Sequence, residues 1–211
     1  MIHSRTLTTA LLGTSCAIAG AGSMTFIGGD PFQGAVTVGG AHFNGLLNVG
    51  LMDFQESSLG AIKSFCVDLD HGVEAGMSWP DSLWLTTSYP NPGLQLAGNL
   101  VAADYAGVDI ADKAVGLQID LWEVMYDGAS NALPDFGTGN FTASGMSAGA
   151  LAAANGYWAD RLTNADALYI RADDAHGQDQ MMPVPEPFSM IGLGVGLFAI
   201  VRRLPKQSAG G

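Results

Sequence analysis

Two segments carry residue types that can do chemistry. The first is Ser64-Phe65-Cys66-Val67-Asp68-Leu69, where apolar and polar residues alternate as on a strand. The chain has two cysteines, Cys16 and Cys66. Cys16 falls in a stretch expected to be removed on export, which leaves Cys66 alone. A lone thiol in an oxidising compartment is buried and inert, paired between chains, a nucleophile, or covalently occupied, and all four readings stay open here. The second segment is Val115-Gly116-Leu117-Gln118-Ile119-Asp120-Leu121-Trp122-Glu123-Val124-Met125-Tyr126-Asp127. Its Gln118 lies one helical turn before Trp122, on the same face. Asp120, two residues from Gln118, is expected on a different face, turned to solvent. A Cys–His hydrolase would need His42, His71 or His176 near Cys66 in space, and none sits in a family signature. Asp68-x-Asp70-x-Gly72-x-Glu74 has a faint calcium-loop look but lacks the Asp/Asn-Gly turn and terminal Glu spacing of an EF-hand. It reads as a solvated acidic turn, so no metal site and no cofactor are expected.

The elements that must position these residues change in rhythm at Pro90-Asn91-Pro92. Before it, Gly34–Gly39, His42–Phe54, Ala61–Leu69 and Ser82–Tyr89 are short strand-like runs between Gly and Ser, and 72–81 reads as a loop containing Trp79. After it, Leu94–Tyr105 is Ala/Leu-rich and helical. A second helix is predicted over Ile110–Tyr126, with Asp109 as N-cap, Asp112 in capping-box position and an apolar stripe of Ala114, Leu117, Leu121, Val124 and Met125. A third helix starts after Thr142 or Ser144 and runs to about Leu162, and 166–171 is a closing strand. Strands, a helical block and a last strand predict an α+β fold: a small β-sandwich or barrel with a helical insertion.

Both ends read as addresses. Residues 1–22 have a basic start (His3, Arg5), an apolar stretch, and small residues ending in Ala19-Gly20-Ala21, an A-x-A-like cleavage site. Residues 173–183 read as linker. Residues 184–211 carry Pro185-Glu186-Pro187, an apolar run at 188–201, then Arg202-Arg203 and Lys206. The run is shorter than the ~20 residues that span a bilayer comfortably, unless the arginines snorkel. Basic residues beyond it would stay cytoplasmic, leaving the body outside.

Pro185, Glu186 and Pro187, the segment 188–201 and the cluster Arg202 and Arg203 together resemble the PEP-CTERM sorting signal. The resemblance covers about 20 residues and implies recognition by an exosortase, a C-terminal membrane helix before processing, and delivery to the surface of a Gram-negative bacterium, often one that makes exopolysaccharide and biofilm. The chain departs from the pattern by running on for eight residues after Arg203.

Phe65-Cys66-Val67-Asp68 and Leu117-Gln118-Ile119-Asp120-Leu121-Trp122 resemble the paired motifs of the thioester domains of bacterial surface adhesins, and Glu123 and Asp127 extend the likeness. The resemblance implies that the Cys66 thiolate attacks the Gln118 carboxamide, expels ammonia and leaves an internal thioester, with Phe65, Asp68, Trp122 and Glu123 around it. An amine or hydroxyl on a target would then take the acyl group and free Cys66, in one turnover rather than in catalysis. Leu117 stands where the adhesins have Thr, and Asp120 where they have Ala. Replacing Cys66 or Gln118 by Ala is expected to abolish the bond with little loss of fold.

Charge narrows the partners. The chain of 211 residues has a formal net charge of -12, and charged residues make up 13% of it, about half the usual share near 25%. Between residues 23 and 182 the only Lys and Arg are Lys63, Lys113, Arg161 and Arg171. Such a surface is poor at displacing counterions from phosphates, so nucleic-acid binding is not expected. The sequence thus reads as a signal peptide (1–22), a thioester-like ectodomain (23–172), a linker (173–183) and a sorting tail (184–211). The function expected is an exported surface or matrix protein with covalent adhesion. The alternatives are a passive matrix protein with a degenerate thioester fold and a secreted Cys hydrolase.

Overall fold

Runs of β-branched and aromatic residues between glycines extend rather than coil, because branched side chains pack well on a pleated surface. In the computed structural model, which describes residues 22–128 and 130–185, four strands come first: β1 (Gly22–Gly40), β2 (Gly45–Glu56), β3 (Gly60–Cys66) and β4 (Ser78–Leu85). β1 is far longer than the expected Gly34–Gly39. Its register against β2 shifts between Phe26 and Gly28 and again between Gly29 and Gln33, so the strand bends at its glycines and continues. Trp79, expected in a loop, pairs with Met24 on β4 and is buried.

The helical block follows, with α1 (Pro92–Asp104), α2 (Ala111–Tyr126) and α3 (Ala148–Tyr157), the last extended by a 3-10 turn at Trp158–Leu162. A short strand, β5 (Phe141–Ser144), precedes α3; β6 (Ala167–Ala172) and β7 (Gln180–Pro183) come after it. Asn91 caps α1, its side chain accepting from the Gly93 and Leu94 N–H groups ahead of a proline at the first position. Ser147 caps α3 in the same way. The capping expected of Asp109 on α2 does not occur. Ile110 occupies the cap position without a side-chain bond. Asp109 pairs with Lys113 at 2.9 Å, and Asp112 accepts from the Ser147 hydroxyl at 2.5 Å.

The α+β expectation holds at the level of one antiparallel sheet with a helical block between β4 and β6. All seven strands belong to that sheet, in the order β2-β3-β7-β6-β4-β1-β5, with β1 also paired to β2. Those pairings make a closed circuit of six strands, which removes most free edges. β7 corrects the sequence reading. Residues 180–183, expected as linker, sit inside the sheet, Phe65 pairing with Met181 on one side and Leu168 with Met182 on the other. The strand is short and follows a polar turn, so its period-2 pattern was too brief to register.

β3, β7 and β6 separate two apolar cores. Alternation puts Cys66, Leu168 and Ile170 in one with Phe54 and Leu83, and Phe65, Tyr169 and Met181 in the other with α1 and Trp158. α2 touches both. Its expected stripe of Ala114, Leu117, Leu121 and Val124 faces the second core, while Val115, Ile119 and Trp122 face the first. Every residue from Ala114 to Val124 is buried, so Asp120, expected in solvent, is fully enclosed, and neither carboxylate oxygen has a partner. A single-stripe helix has a polar back; this one has none.

α2 and α3 meet closely at Gly116, where a Cβ would lie 2.8 Å from the Ala150 carbonyl oxygen and 2.9 Å from the Ala154 nitrogen. Backbone atoms cannot swing aside, so Gly116→Ala is expected to push the helices apart and destabilise the protein by about 1–3 kcal/mol. Urea unfolding at unchanged m-value measures it, and a variant as stable as the parent would refute the contact.

Candidate functional site

Cys66 is the last residue of β3, where the β2–β3 ladder has already ended at Met52 and Ser64. On its other side the strand is paired to β7, and the Val67 N–H continues that pairing to the Asp179 carbonyl at 3.1 Å. Strand alternation turns the Cys66 N–H and carbonyl the opposite way, towards an edge that β2 has left. The Gln118 carboxamide, buried in the middle of α2, takes that place. Its Oε1 accepts from the Cys66 N–H at 3.0 Å, and its Nε2 donates to the Cys66 carbonyl at 2.6 Å. One side chain thus stands in for a neighbouring strand, and the two residues singled out from sequence meet through the Cys66 backbone.

The Cys66 thiol donates to the Asp68 carbonyl at 2.7 Å and accepts from the Asp68 N–H at 3.3 Å. Burial pushes the thiol well above its ordinary pKa, and the Asp68 backbone and the Trp122 indole only partly offset this. The Trp122 indole N–H has no bonding partner of its own.

A cleft of about 510 Å³ opens beside this pair, lined among others by Cys66, Gln118, Trp122, Asp68, His71 and Gln178. That volume is in the range of small-ligand sites. The turn after Cys66 forms one wall and is fixed from three directions. The Tyr126 hydroxyl accepts from the Leu69 N–H at 2.7 Å, one face of the helix thereby holding both Cys66 and Leu69. Asp68 accepts from the Asp70 N–H at 2.8 Å and pairs with His71 Nδ1 at 2.7 Å. That hydrogen bond holds the His71 pKa above its ordinary value. The third tie is a chain of buried amides. The Ser64 hydroxyl donates to Gln180 Oε1, Gln180 Nε2 donates to Gln178 Oε1, and Gln178 Nε2 donates to the His71 carbonyl, at 3.0, 2.9 and 2.6 Å.

Of the residues expected around the thiol, Asp68 and Trp122 line the cleft. Phe65 does not. It lies on the opposite face of β3 and packs edge-on against Tyr105. Glu123 does not line it either; its Oε1 accepts from the Asp135 N–H at 3.2 Å and braces a loop. Asp120 lies away from the cleft, so it neither assists nor repels the thiol. Among the three histidines weighed beside Cys66, His71 lines the cleft, while His42 pairs with Asp70 and His176 is exposed. Gln178 and Gln180 escaped the sequence reading; Gln180 opens β7 and Gln178 lies just before it, and their i, i+2 spacing was the available signal. No group of three or more potential metal ligands occurs among the described residues.

Of the sorting tail, Pro185 is the last described residue, so Glu186, Pro187, Arg202, Arg203 and the segment 188–201 lie outside the described residues, as does the signal segment before Gly22. No helix among the described residues is long and apolar enough to cross a membrane. Comparison with protein families, curated proteins and solved structures gives no match for the chain.

Proposed function

We propose that this is an exported, exosortase-sorted surface or matrix protein whose body stores an acyl group as a Cys66–Gln118 thioester and spends it on covalent adhesion. The observation that carries the reading is that the Gln118 carboxamide bonds to the backbone of Cys66, with both residues lining the same open cleft. The sulfur attacks the carboxamide carbon, the thiol proton leaves with the amide nitrogen as ammonia, and a carbon–sulfur bond replaces a carbon–nitrogen bond. A target amine or hydroxyl entering the cleft then displaces sulfur and returns the proton to Cys66. Burial disfavours the thiolate, so the resting site holds an uncharged sulfur, and a closed thioester meets that condition. It also counts against a secreted Cys hydrolase, which needs a standing thiolate.

A passive matrix role is the second reading, and one observation favours it. Loss of ammonia would take away Nε2, the donor to the buried Cys66 carbonyl. Intact mass decides between the two. The adhesive protein, purified fresh and unreduced, is expected to weigh one ammonia less than its sequence, to resist thiol alkylation while folded, and to gain a methylamine on Gln118 with one exposed thiol when treated with that amine. Full sequence mass together with indifference to methylamine would sink the thioester.

A further inference from the structure

The start of β1 holds a buried pair of acids without a cation. Glu56 and Asp81 are both fully enclosed. Glu56 is well served, accepting at Oε2 from the Ser58 N–H and hydroxyl and from the Leu59 N–H, and at Oε1 from the Ser57 hydroxyl. Asp81 is not: neither of its oxygens has any partner. No Lys, Arg or His among the described residues pairs with either acid. A lone buried carboxylate costs several kcal/mol in desolvation unless a charge or donor meets it.

What lies against both acids is the backbone of Gly22. It pairs with Asp81 across β1 and β4, while Met24 pairs with Glu56 across β1 and β2. A Cβ on Gly22 would sit 2.6 Å from Glu56 Oε1, 3.0 Å from Asp81 Oδ1 and 3.0 Å from Ser57 Oγ. The next residue is clamped, its N–H donating to the Ser57 hydroxyl and its carbonyl accepting from the Ser57 N–H, both at 3.0 Å. Gly22, counted with the signal peptide (1–22) in the sequence reading, is instead the first residue of β1, and it directly follows Ala19-Gly20-Ala21, the A-x-A-like cleavage site.

We propose that Glu56 and Asp81 form the seat for the α-ammonium of Gly22, created when a signal peptidase cuts after Ala21. The proposal rests on the export half of the proposed function and is independent of the thioester. Hydrolysis consumes one water, leaves a carboxylate on Ala21 and an amine on Gly22, and the amine takes up a proton. The cut also removes the Ala21 carbonyl, so the new ammonium is free to turn towards the oxygens beside it. Glycine suits this first position because a Cβ would take up space beside those oxygens and push them aside. Maturation thereby supplies the cation that the acids lack, and the folded body is completed by its own processing.

Two chains test this, one released from a fusion with Gly22 first and one with Gly20 first, both ending at Gly211. The Gly22 chain is expected to melt higher near neutral pH, and Asp81→Asn should erase most of the difference. Its α-amine should titrate above the ordinary range near 7.7–8.0, and react on the order of tenfold more slowly with an amine-selective acylating reagent at about pH 8 than that of the Gly20 chain. The amine measurement stands even where Asp81→Asn fails to fold. Equal melting with equally reactive amines would overturn the seat. The mass of the protein recovered from outside producing cells reports the cut itself: a first residue other than Gly22 overturns the assignment of the ligand, and absence of any export defeats the export reading separately from the in vitro comparison.

Discussion

Gln118→Leu is expected to destabilise the protein by roughly 2–6 kcal/mol, far more than Cys66→Ala. The Gln118 amide is the bonding partner of both the Cys66 N–H and the Cys66 carbonyl, at the point where β2 has left the sheet. Leucine fills nearly the same volume, so little of the loss comes from a cavity. It comes from two buried backbone groups left without partners, each costing about 1–3 kcal/mol. Cys66→Ala keeps both backbone groups and the amide that serves them. It removes one sulfur from a buried site, at a cost of about 1–2 kcal/mol. Little loss of fold is therefore expected on replacing Cys66, and a large loss on replacing Gln118, where the sequence reading expected little for both. Urea unfolding of the two variants checks it, the thioester having first been opened in the parent with ammonia, which restores the Gln118 carboxamide and frees the thiol, so that only packing is compared. Near-equal stability of the two would mean that the amide is not a structural substitute for a strand. The pair also separates roles: Cys66→Ala removes the thiol chemistry with the scaffold intact, whereas Gln118→Leu removes both.

How much of this was legible depended on how local each signal was. The alternation around Cys66 and the helical spacing of Gln118 and Trp122 are short-range patterns, and they placed those residues on a strand and on one helix face. That the strand end and the helix middle would touch came from the resemblance, since no local rule brings residues 52 positions apart together. Phe65 shows the limit of reading a motif as a site: adjacent strand residues point to opposite faces, so of Phe65 and Cys66 only one reaches the cleft. Asp120 was misplaced because helical spacing orders faces relative to one another but does not say how many of them are covered. Here the sheet, α1 and α3 enclose α2 together, a tertiary fact. β7 was missed because a strand of four residues gains its identity from two neighbours rather than from its own composition. The acids at the start of β1 were invisible for the same reason: Glu56 and Asp81 are 25 residues apart and meet only through the pairing of β1 with both β2 and β4.

Asp81 belongs to a wider set of carboxyls that makes the protein more stable in mild acid than at neutral pH. Burial raises the carboxyls of Asp81, Asp104 and Glu123 to about 7, with help from neighbouring charge: Glu56 and Asp173 at Asp81, Asp160 at Asp104, Asp127 and Asp135 at Glu123. Asp120 is likewise raised well above its ordinary value, by its burial and by Glu123 and Asp104, against a lowering pull from Arg161. In each case the folded protein holds a proton that the unfolded chain gives up near pH 4. Between the unfolded and the folded pKa the native state binds more protons, so stability falls as pH rises. The contribution is complete below the unfolded pKa and is lost through the folded one, near neutrality for Asp81, Asp104 and Glu123. At about 1.4 kcal/mol per pK unit, the sum reaches several kcal/mol. His71, raised by Asp68, works in the same direction, whereas Asp109 and Asp135 are lowered at exposed sites and matter only below about pH 4. The melting temperature is therefore expected to be higher at about pH 5 than at about pH 8, and Asp120→Asn should raise the value more at the upper pH than at the lower. A profile that is flat or that climbs across this range would show that the buried carboxyls are not held protonated. The Gly22 ammonium bears on the same curve: seated beside Asp81, it would keep that carboxylate ionised in the folded state. The Gly22 chain should consequently lose less stability between the two pH values than the Gly20 chain, with the two curves converging in acid, where Asp81 carries its proton in both.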